Sequence, residues 1–225
     1  MEFAPDITHR RIDASAYERV FVVGDVHGCR ETLDRLLDRL GPDEETLFVF
    51  VGDLVRKGPD SAGVLDRVRS LPNAVSVLGN NEAKILRGDK NLSELTSADH
   101  DHIESMPEAI TFGNSLVVHG GVDHRKPVVE HTREDLLTMR SLADDGGYTR
   151  PFWFETRPDG PRVFFGHTVL DEPFATETAV GLDTGCVYGG QLTAYDLRND
   201  RFVAVEPEVT HQSRSADSIV DPSPR

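Results

Sequence analysis

Three short apolar runs open this chain, and each ends in the same way. Arg19-Val20-Phe21-Val22-Val23 closes on Gly24-Asp25, residues 47–51 close on Gly52-Asp53, and residues 74–78 close on Gly79-Asn80. Runs this short, rich in β-branched residues and bounded by glycine, predict buried strands. Helical spacing lies between them. Leu33, Leu36, Leu37 and Leu40 recur before a stop at Gly41-Pro42, and Val64, Leu65 and Val68 follow a turn at residues 58–61. A β-α-β-α-β order predicts parallel strands with right-handed crossovers. Ligands of open α/β sheets sit at the carboxyl ends of strands, so the three glycine-plus-polar pairs are expected to converge.

The pattern then changes. Residues 82–104 read as a polar helical segment that could form a small cap. Short strands are expected at 115–119, 162–165, 179–182, 192–197 and 202–206, with one helix at about 133–142. They predict a second, more antiparallel sheet packed on the first. Residues 1–206 therefore read as one domain, long enough to bury a core without staples. Residues 207–225, rich in proline, serine and charge, read as a disordered tail.

The formal net charge is −15, from 39 acidic against 24 basic residues. Such a balance argues against non-specific nucleic-acid binding and against membrane binding. No run approaches the ~18 apolar residues of a membrane helix, and residues 1–19 carry no apolar signal core. Cys29 and Cys186 are the only cysteines. They form no disulfide framework, so a reducing cytoplasm is the expected compartment.

The chemistry is concentrated at the strand ends. Gly24-Asp25-Val26-His27-Gly28 sets a carboxylate and an imidazole two residues apart. In extended backbone such residues point to one side, so both can bind one metal. Asp53 and Asn80 add a carboxylate and a carboxamide at the next two strand ends. His119 closes the run 116–118, and His167 follows the run 163–166. Two carboxylates, one amide and three histidines without a thiolate favour Mn²⁺, Fe or Zn²⁺ over a softer metal.

Taken in order, GDVHG from Gly24, GDLVRKGPDS from Gly52, GNNE from Gly79, VVHGG from Val117, FFGHT from Phe164 and LDTGCVYGGQLTAYDL from Leu182 resemble the calcineurin-like metallophosphoesterases, especially their phosphoprotein phosphatase group. Within it they are similar to small bacterial and phage serine/threonine phosphatases and to symmetrical diadenosine tetraphosphatases. The resemblance implies a four-layer αββα sandwich of two mixed sheets and a centre of two divalent metals, Mn²⁺ first, ~3.5–4 Å apart. It implies Asp25, His27 and Asp53 as ligands of one metal, and Asp53, Asn80, His119 and His167 as ligands of the other. A water bridging the metals is the implied nucleophile. Lys57, Asn80 and Arg140 are the implied phosphate-binding residues, Lys57 standing where the group has an arginine. The group's general-acid histidine is replaced by Asn81, and the aspartate that orients it by Arg56. An amide has no proton to give at neutral pH.

Three functions are therefore expected, in this order. The first is hydrolysis of a phosphate monoester, on a phosphoprotein or a small molecule. The second is hydrolysis of a phosphoanhydride in a dinucleoside polyphosphate, a capped RNA end or polyphosphate. The third is a metal-binding module with little catalysis.

One prediction needs composition alone. Only Lys57, Lys84, Lys90 and Lys126 are lysines, and this acidic, lysine-poor make-up resembles proteins of salt-accumulating microbes. At molar salt the Debye length falls to ~3 Å, which screens self-repulsion. The melting temperature is expected to rise steeply from low to molar KCl; a melting curve insensitive to salt removes the halophilic reading.

Overall fold

The computed structural model describes residues 1–144 and 146–222. Among the described residues, eleven strands form two mixed sheets. The first sheet runs β11 (Arg201–Val205), β10 (Leu192–Asp196), β2 (Arg19–Val23), β3 (Thr46–Phe50), β4 (Ala74–Ser76). The second runs β1 (His9–Arg11), β5 (Ala109–Phe112), β6 (Ser115–Val117), β7 (Arg162–Phe165), β9 (Ala179–Gly181), β8 (Phe174–Ala175). The longer helices are α1 (Arg30–Leu40), α2 (Ser61–Arg69), α3 (Asn80–Leu86) and α4 (Ser97–Glu104). Two short ones, α5 (Arg133–Thr138) and α6 (Trp153–Thr156), follow.

Alternation along the strands explains why both sheets are apolar on both faces. Val20 and Val22 of β2, with Leu47 and Val49 of β3, meet Val117, Phe164 and Val180 of the opposite sheet in a central core. Phe21, Val23, Phe48 and Phe50, the intervening residues, pack outward on Leu33, Leu36 and Leu37 of α1 and on Val64 and Leu65 of α2. On the other outer face, Leu116, Val163 and Phe165 pack on Leu136, Trp153 and Phe154. Three cores between four layers make the expected αββα sandwich.

The parallel set β2-β3-β4 has the expected order and direction. Two expectations need correction. Strands β10 and β11 belong to the first sheet, because β10 pairs antiparallel with β2 in the register Tyr195 to Val22. The second sheet is also less antiparallel than expected, since β6, β7 and β9 are mutually parallel. Each sheet thus supplies three parallel strands, and their carboxyl ends meet. The segment 82–104 divides into α3 and α4, and the helix expected at 133–142 ends at Thr138.

The tail also needs correction for residues 207–222; residues 223–225 lie outside those described. The chain after β11 lies as a strap on the body of the protein. The His211 and Gln212 amides donate to Val187 O at 3.1 and 3.0 Å, and Val220 N–H donates to Val169 O at 2.8 Å. Val220 is 5% exposed and joins the core under the second sheet. Composition hid this, because a few backbone bonds and one buried valine hold a segment that is otherwise polar. Amide hydrogen exchange at His211, Gln212 and Val220 is expected to be well below free-chain rates. Exchange as fast as an unstructured peptide at all three would return the segment to a tail.

Candidate metal centre

Six strand ends build the site. Asp25, Asp53 and Asn80 follow β2, β3 and β4, and His119, His167 and Asp183 follow β6, β7 and β9. Among them Asp25, His27 and Asp53 bring their ligand atoms within 4.8 Å of one another, and all three are buried. His27 Nε2 lies 3.8 Å from Asp25 Oδ2 and 3.6 Å from Asp53 Oδ2. On the other side of Asp53, His119 Nε2 stands 3.4 Å from Oδ1. The inward atom of the Asn80 amide is 3.1 Å from each of Asp53 Oδ2, His119 Nε2 and His167 Nδ1.

The local chain is bent to achieve this. Asp25 and His27 meet, but not by the extended geometry expected from their spacing: His27 has φ of 52° and turns the chain toward α1. Of the six non-glycine residues with positive φ among those described, five are His27, Asp53, Arg56, Lys57 and His167. Such conformations are sparsely populated and collect at functional sites. Backbone bonds hold them. Val26 and His27 N–H both donate to Asp53 O, at 3.2 and 2.8 Å, and Gly58 N–H donates to His27 O at 2.7 Å. Glu82 of α3 accepts from the backbone N–H of Asp53, Gly79 and Val55 at 2.9, 3.0 and 3.1 Å.

Electrostatics mark the cluster as a cation site. Burial, reinforced by Asp183 and Asp53, pushes the Asp25 carboxyl well above its ordinary range. Burial also raises Asp183. Burial opposes ionisation of Asp53 too, yet His119 and His27 hold it well below the usual range. Burial and the Lys57 ammonium bring His27 down to about 3, and burial with Arg140 holds His167 well below normal. Both imidazoles are thus driven toward the neutral form, the form that ligates a metal, although the His27 Nε2 lone pair faces the Lys57 ammonium here. His167 Nε2 is buried with no hydrogen-bond partner among the described residues. The Asn80 amide gives a second test. Hydrogen bonding alone turns its nitrogen toward the three acceptors and its oxygen toward Lys84 Nζ, 2.8 Å away. A cation among those acceptors would turn the oxygen inward. At His119 burial is outweighed by the neighbouring Asp53, which raises it. The donor set therefore fits divalent metal: buried carboxylates, imidazoles and an amide oxygen, with no thiolate.

A cavity of about 290 Å³ opens over the cluster. It brings together Asp25, His27, Asp53, Asn80, Asn81, Arg56, Lys57, Arg140 and His167. His119, fully buried, lies behind that wall, and its Nδ1 donates to Val51 O, 2.7 Å away. Lys57 Nζ lies 2.8 Å from His27 Nε2, and Arg140 Nη2 lies 3.4 Å from His167 Nδ1. Asn81 donates its backbone N–H to Asp53 Oδ1 at 2.8 Å, and its side-chain amide to Asp53 Oδ2. Arg56 in turn donates to Asn81 Oδ1. The two residues in place of the acid dyad are therefore coupled to each other and to Asp53.

The cavity also holds residues that sequence reasoning missed: Lys84, Asp183, Tyr188 and Arg214. Asp183 obeys the strand-end rule that found the others, since it follows β9 within a matching block. Glu82, in the third block, shows itself only through its backbone bonds. Arg214 lies on the strap, with no motif around it.

Gly166 sets the clearest local test. A methyl group built there would overlap Asp25 Oδ1 and stand 2.7 Å from Val51 Cγ2. Ligand binding to the native state raises stability by about 2.7 kcal/mol at a hundred times Kd. Added Mn²⁺ is expected to raise the melting temperature of the wild type and to do little for Gly166→Ala, with metal content falling in parallel. Equal shifts in both proteins would place the metal away from Asp25.

Comparison with known proteins gives the family. The asymmetrical bis(5′-nucleosyl)-tetraphosphatase PrpE of Halalkalibacterium halodurans is 29% identical over 240 residues, spanning 86% of this chain and 97% of its own. The symmetrical bis(5′-nucleosyl)-tetraphosphatase of Janthinobacterium sp. (strain Marseille) is 26% identical, spanning 83% of this chain and 95% of its own. A crystal structure that carries the provisional name diadenosine tetraphosphatase superposes with a TM-score of 0.79 at 32% identity, covering 89% of this chain and 98% of that one. Residues 18–177 match the calcineurin-like phosphoesterase family. With the six strand ends, the metal-type donor set and this match in agreement, the chain belongs to the calcineurin-like phosphoesterases.

Proposed function

We propose that this protein hydrolyses a phosphoanhydride bond of a dinucleoside polyphosphate. The sequence alone ranked phosphate monoesters first. The place of Asn81 reverses that order, and the names of the relatives support the reversal. Membership of a hydrolase family likewise favours catalysis over a bare metal-binding module.

Asp25, His27 and Asp53 would hold one divalent metal, with Mn²⁺ the first candidate, and Asp53, Asn80, His119 and His167 the second. Bound there, the metals supply charge neutralisation and a water of lowered pKa. The chain's own residues do the rest. Lys57, Arg140 and Asn80 converge on the position of the phosphoryl group to be attacked. Arg140 offers a planar fork and Lys57 a point charge. Asn81 spends its N–H groups on Asp53 and so orients that carboxylate. It has no proton to deliver to a departing oxygen.

That absence carries the reading. A serine alkoxide, with a conjugate-acid pKa of about 16 if treated like water, leaves poorly without a proton. A phosphate leaving group, near ~6 on the scale of a phosphate ester's second ionisation, needs little help. Arg56, donating to Asn81 Oδ1 on the cavity wall, adds positive charge where negative charge collects on the departing phosphate.

The test is product analysis of the Mn²⁺-loaded protein with diadenosine tetraphosphate. ADP alone indicates symmetrical cleavage, and ATP with AMP indicates asymmetrical cleavage; either supports the proposal. Hydrolysis of p-nitrophenyl phosphate without any nucleotide product would return the protein to monoesters. A general acid contributes ~10²–10⁴-fold. The double variant Asn81→His with Arg56→Asp is expected to gain on a phosphoserine peptide within that range and to gain little on the anhydride. If wild type already cleaves phosphoserine as fast as p-nitrophenyl phosphate, another residue supplies the proton.

A further inference from the structure

The cavity mouth carries a chain of alternating cations and rings that no motif announces. Lys57 Nζ lies 5.3 Å from the centre of the Tyr188 ring. The Arg214 guanidinium lies 4.8 Å from the same ring and 5.6 Å from the Tyr148 ring. Arg140 lies 5.0 Å from Tyr148. Lys57 and Arg140 reach inward to His27 and His167, as described. Among the described residues Arg214 makes no hydrogen bond or ion pair with a histidine or carboxylate of the metal centre, although its charge acts on the buried Asp183. It stands between the two tyrosines, one side chain further out, while still lining the cavity with Asp25 and Asp183.

Its hydrogen bonding leaves part of the guanidinium free. Nε donates to Ser218 O at 2.9 Å, and Nη2 donates to the Tyr148 hydroxyl. Nη1 has no hydrogen-bond partner, and the side chain no ion pair, among the described residues. The strap is built to hold this position. Gln212 Nε2 donates to Lys57 O at 2.9 Å, Thr210 packs on Gly189 where a Cβ would overlap its hydroxyl, and Val220 anchors the far end. A fixed, half-buried guanidinium with a free edge, aimed at a cavity already lined by Lys57 and Arg140, suits an anion extending outward from the metal centre.

We propose that the strap 207–222 is part of the substrate site, and that Arg214 binds the phosphate chain beyond the phosphoryl group under attack. A monoester has no charge at that position, whereas an oligophosphate does. Arg214 is thus a specificity residue for chain length. The proposal deepens the phosphoanhydride reading and rests on it for the natural substrate.

The test uses the full-length, metal-loaded protein and two inorganic probes, orthophosphate and tripolyphosphate, with Mg²⁺ in excess in every arm. Each is titrated as a competitive inhibitor of p-nitrophenyl phosphate hydrolysis and, without turnover, by calorimetry. Arg214→Ala removes a charge-assisted hydrogen bond to the anion and is expected to weaken tripolyphosphate binding by about tenfold or more. Orthophosphate and the KM for the aryl ester should stay unchanged. Arg214→Lys should recover part of the affinity. Should Arg214→Ala lose its cooperative melting transition, Arg214→Gln, which keeps part of the aliphatic stem and a polar end without the charge, takes its place. Tripolyphosphate binding that is absent in wild type, unchanged without the guanidinium, or weakened in step with orthophosphate overturns the proposal. Failure of the anhydride reading appears separately, as the lack of nucleotide products from diadenosine tetraphosphate.

Discussion

The buried carboxylate of Asp53 is the constraint on which the rest of the centre depends. It stands between His27 and His119 and accepts two bonds from Asn81. The same residue's backbone ties the loops together: its N–H donates to Glu82, and its carbonyl accepts from Val26 and His27. A charge at 2% exposure is untenable unless its surroundings are built for it. Both sheets answer that demand, one with Asp53 itself and its loop partners, the other with His119 and His167. The carboxylate thereby locks two sheets that share no strand into one site.

Holding that arrangement takes strain. Five non-glycine residues of the centre adopt positive φ, at roughly 1–3 kcal/mol each. The cost is borne by what lies beneath. Three apolar cores fix the strands, and backbone hydrogen bonds between the loops after β2 and β3 leave the strained residues no alternative path. The donor groups are therefore brought together by the chain's own fold, and the crowding of their buried like charges is what a divalent cation would relieve.

Charge is distributed in opposition to the whole. The chain carries −15, yet Arg56, Lys57, Lys84, Arg140 and Arg214 surround one small cavity. At 0.15 M salt the Debye length is ~8 Å, so distant surface acids are largely screened from an arriving anion. What it meets is the local potential of those five side chains. A polyanion can thus bind a strongly acidic protein, provided that it stays within the cavity.

Much of this was legible in the chain itself. Short apolar runs ending in Gly-Asp or Gly-Asn announce strands whose ends carry polar groups, and the order of the blocks names the metal-type residues from Asp25 to His167. These features are local: strand propensity, a turn and a polar residue are written in adjacent positions. Sheet membership was less accessible, because the partner of β10 is β2, near the other end of the chain, and nothing in residues 192–196 states it. The backbone at His27 was also misread, since spacing assumes an extended chain and only the crowded turn toward α1 requires a left-handed residue. The strap was hidden most completely. Its composition is that of a solvated tail, and Arg214 reaches the cavity only where Tyr148 and Tyr188, far apart in the chain, stand on either side of it. Sequence by itself determined which residues end the strands and what chemistry they can hold. Tertiary structure alone decided which distant charges share their cavity, because burial and proximity belong to the folded surface and not to the order of residues.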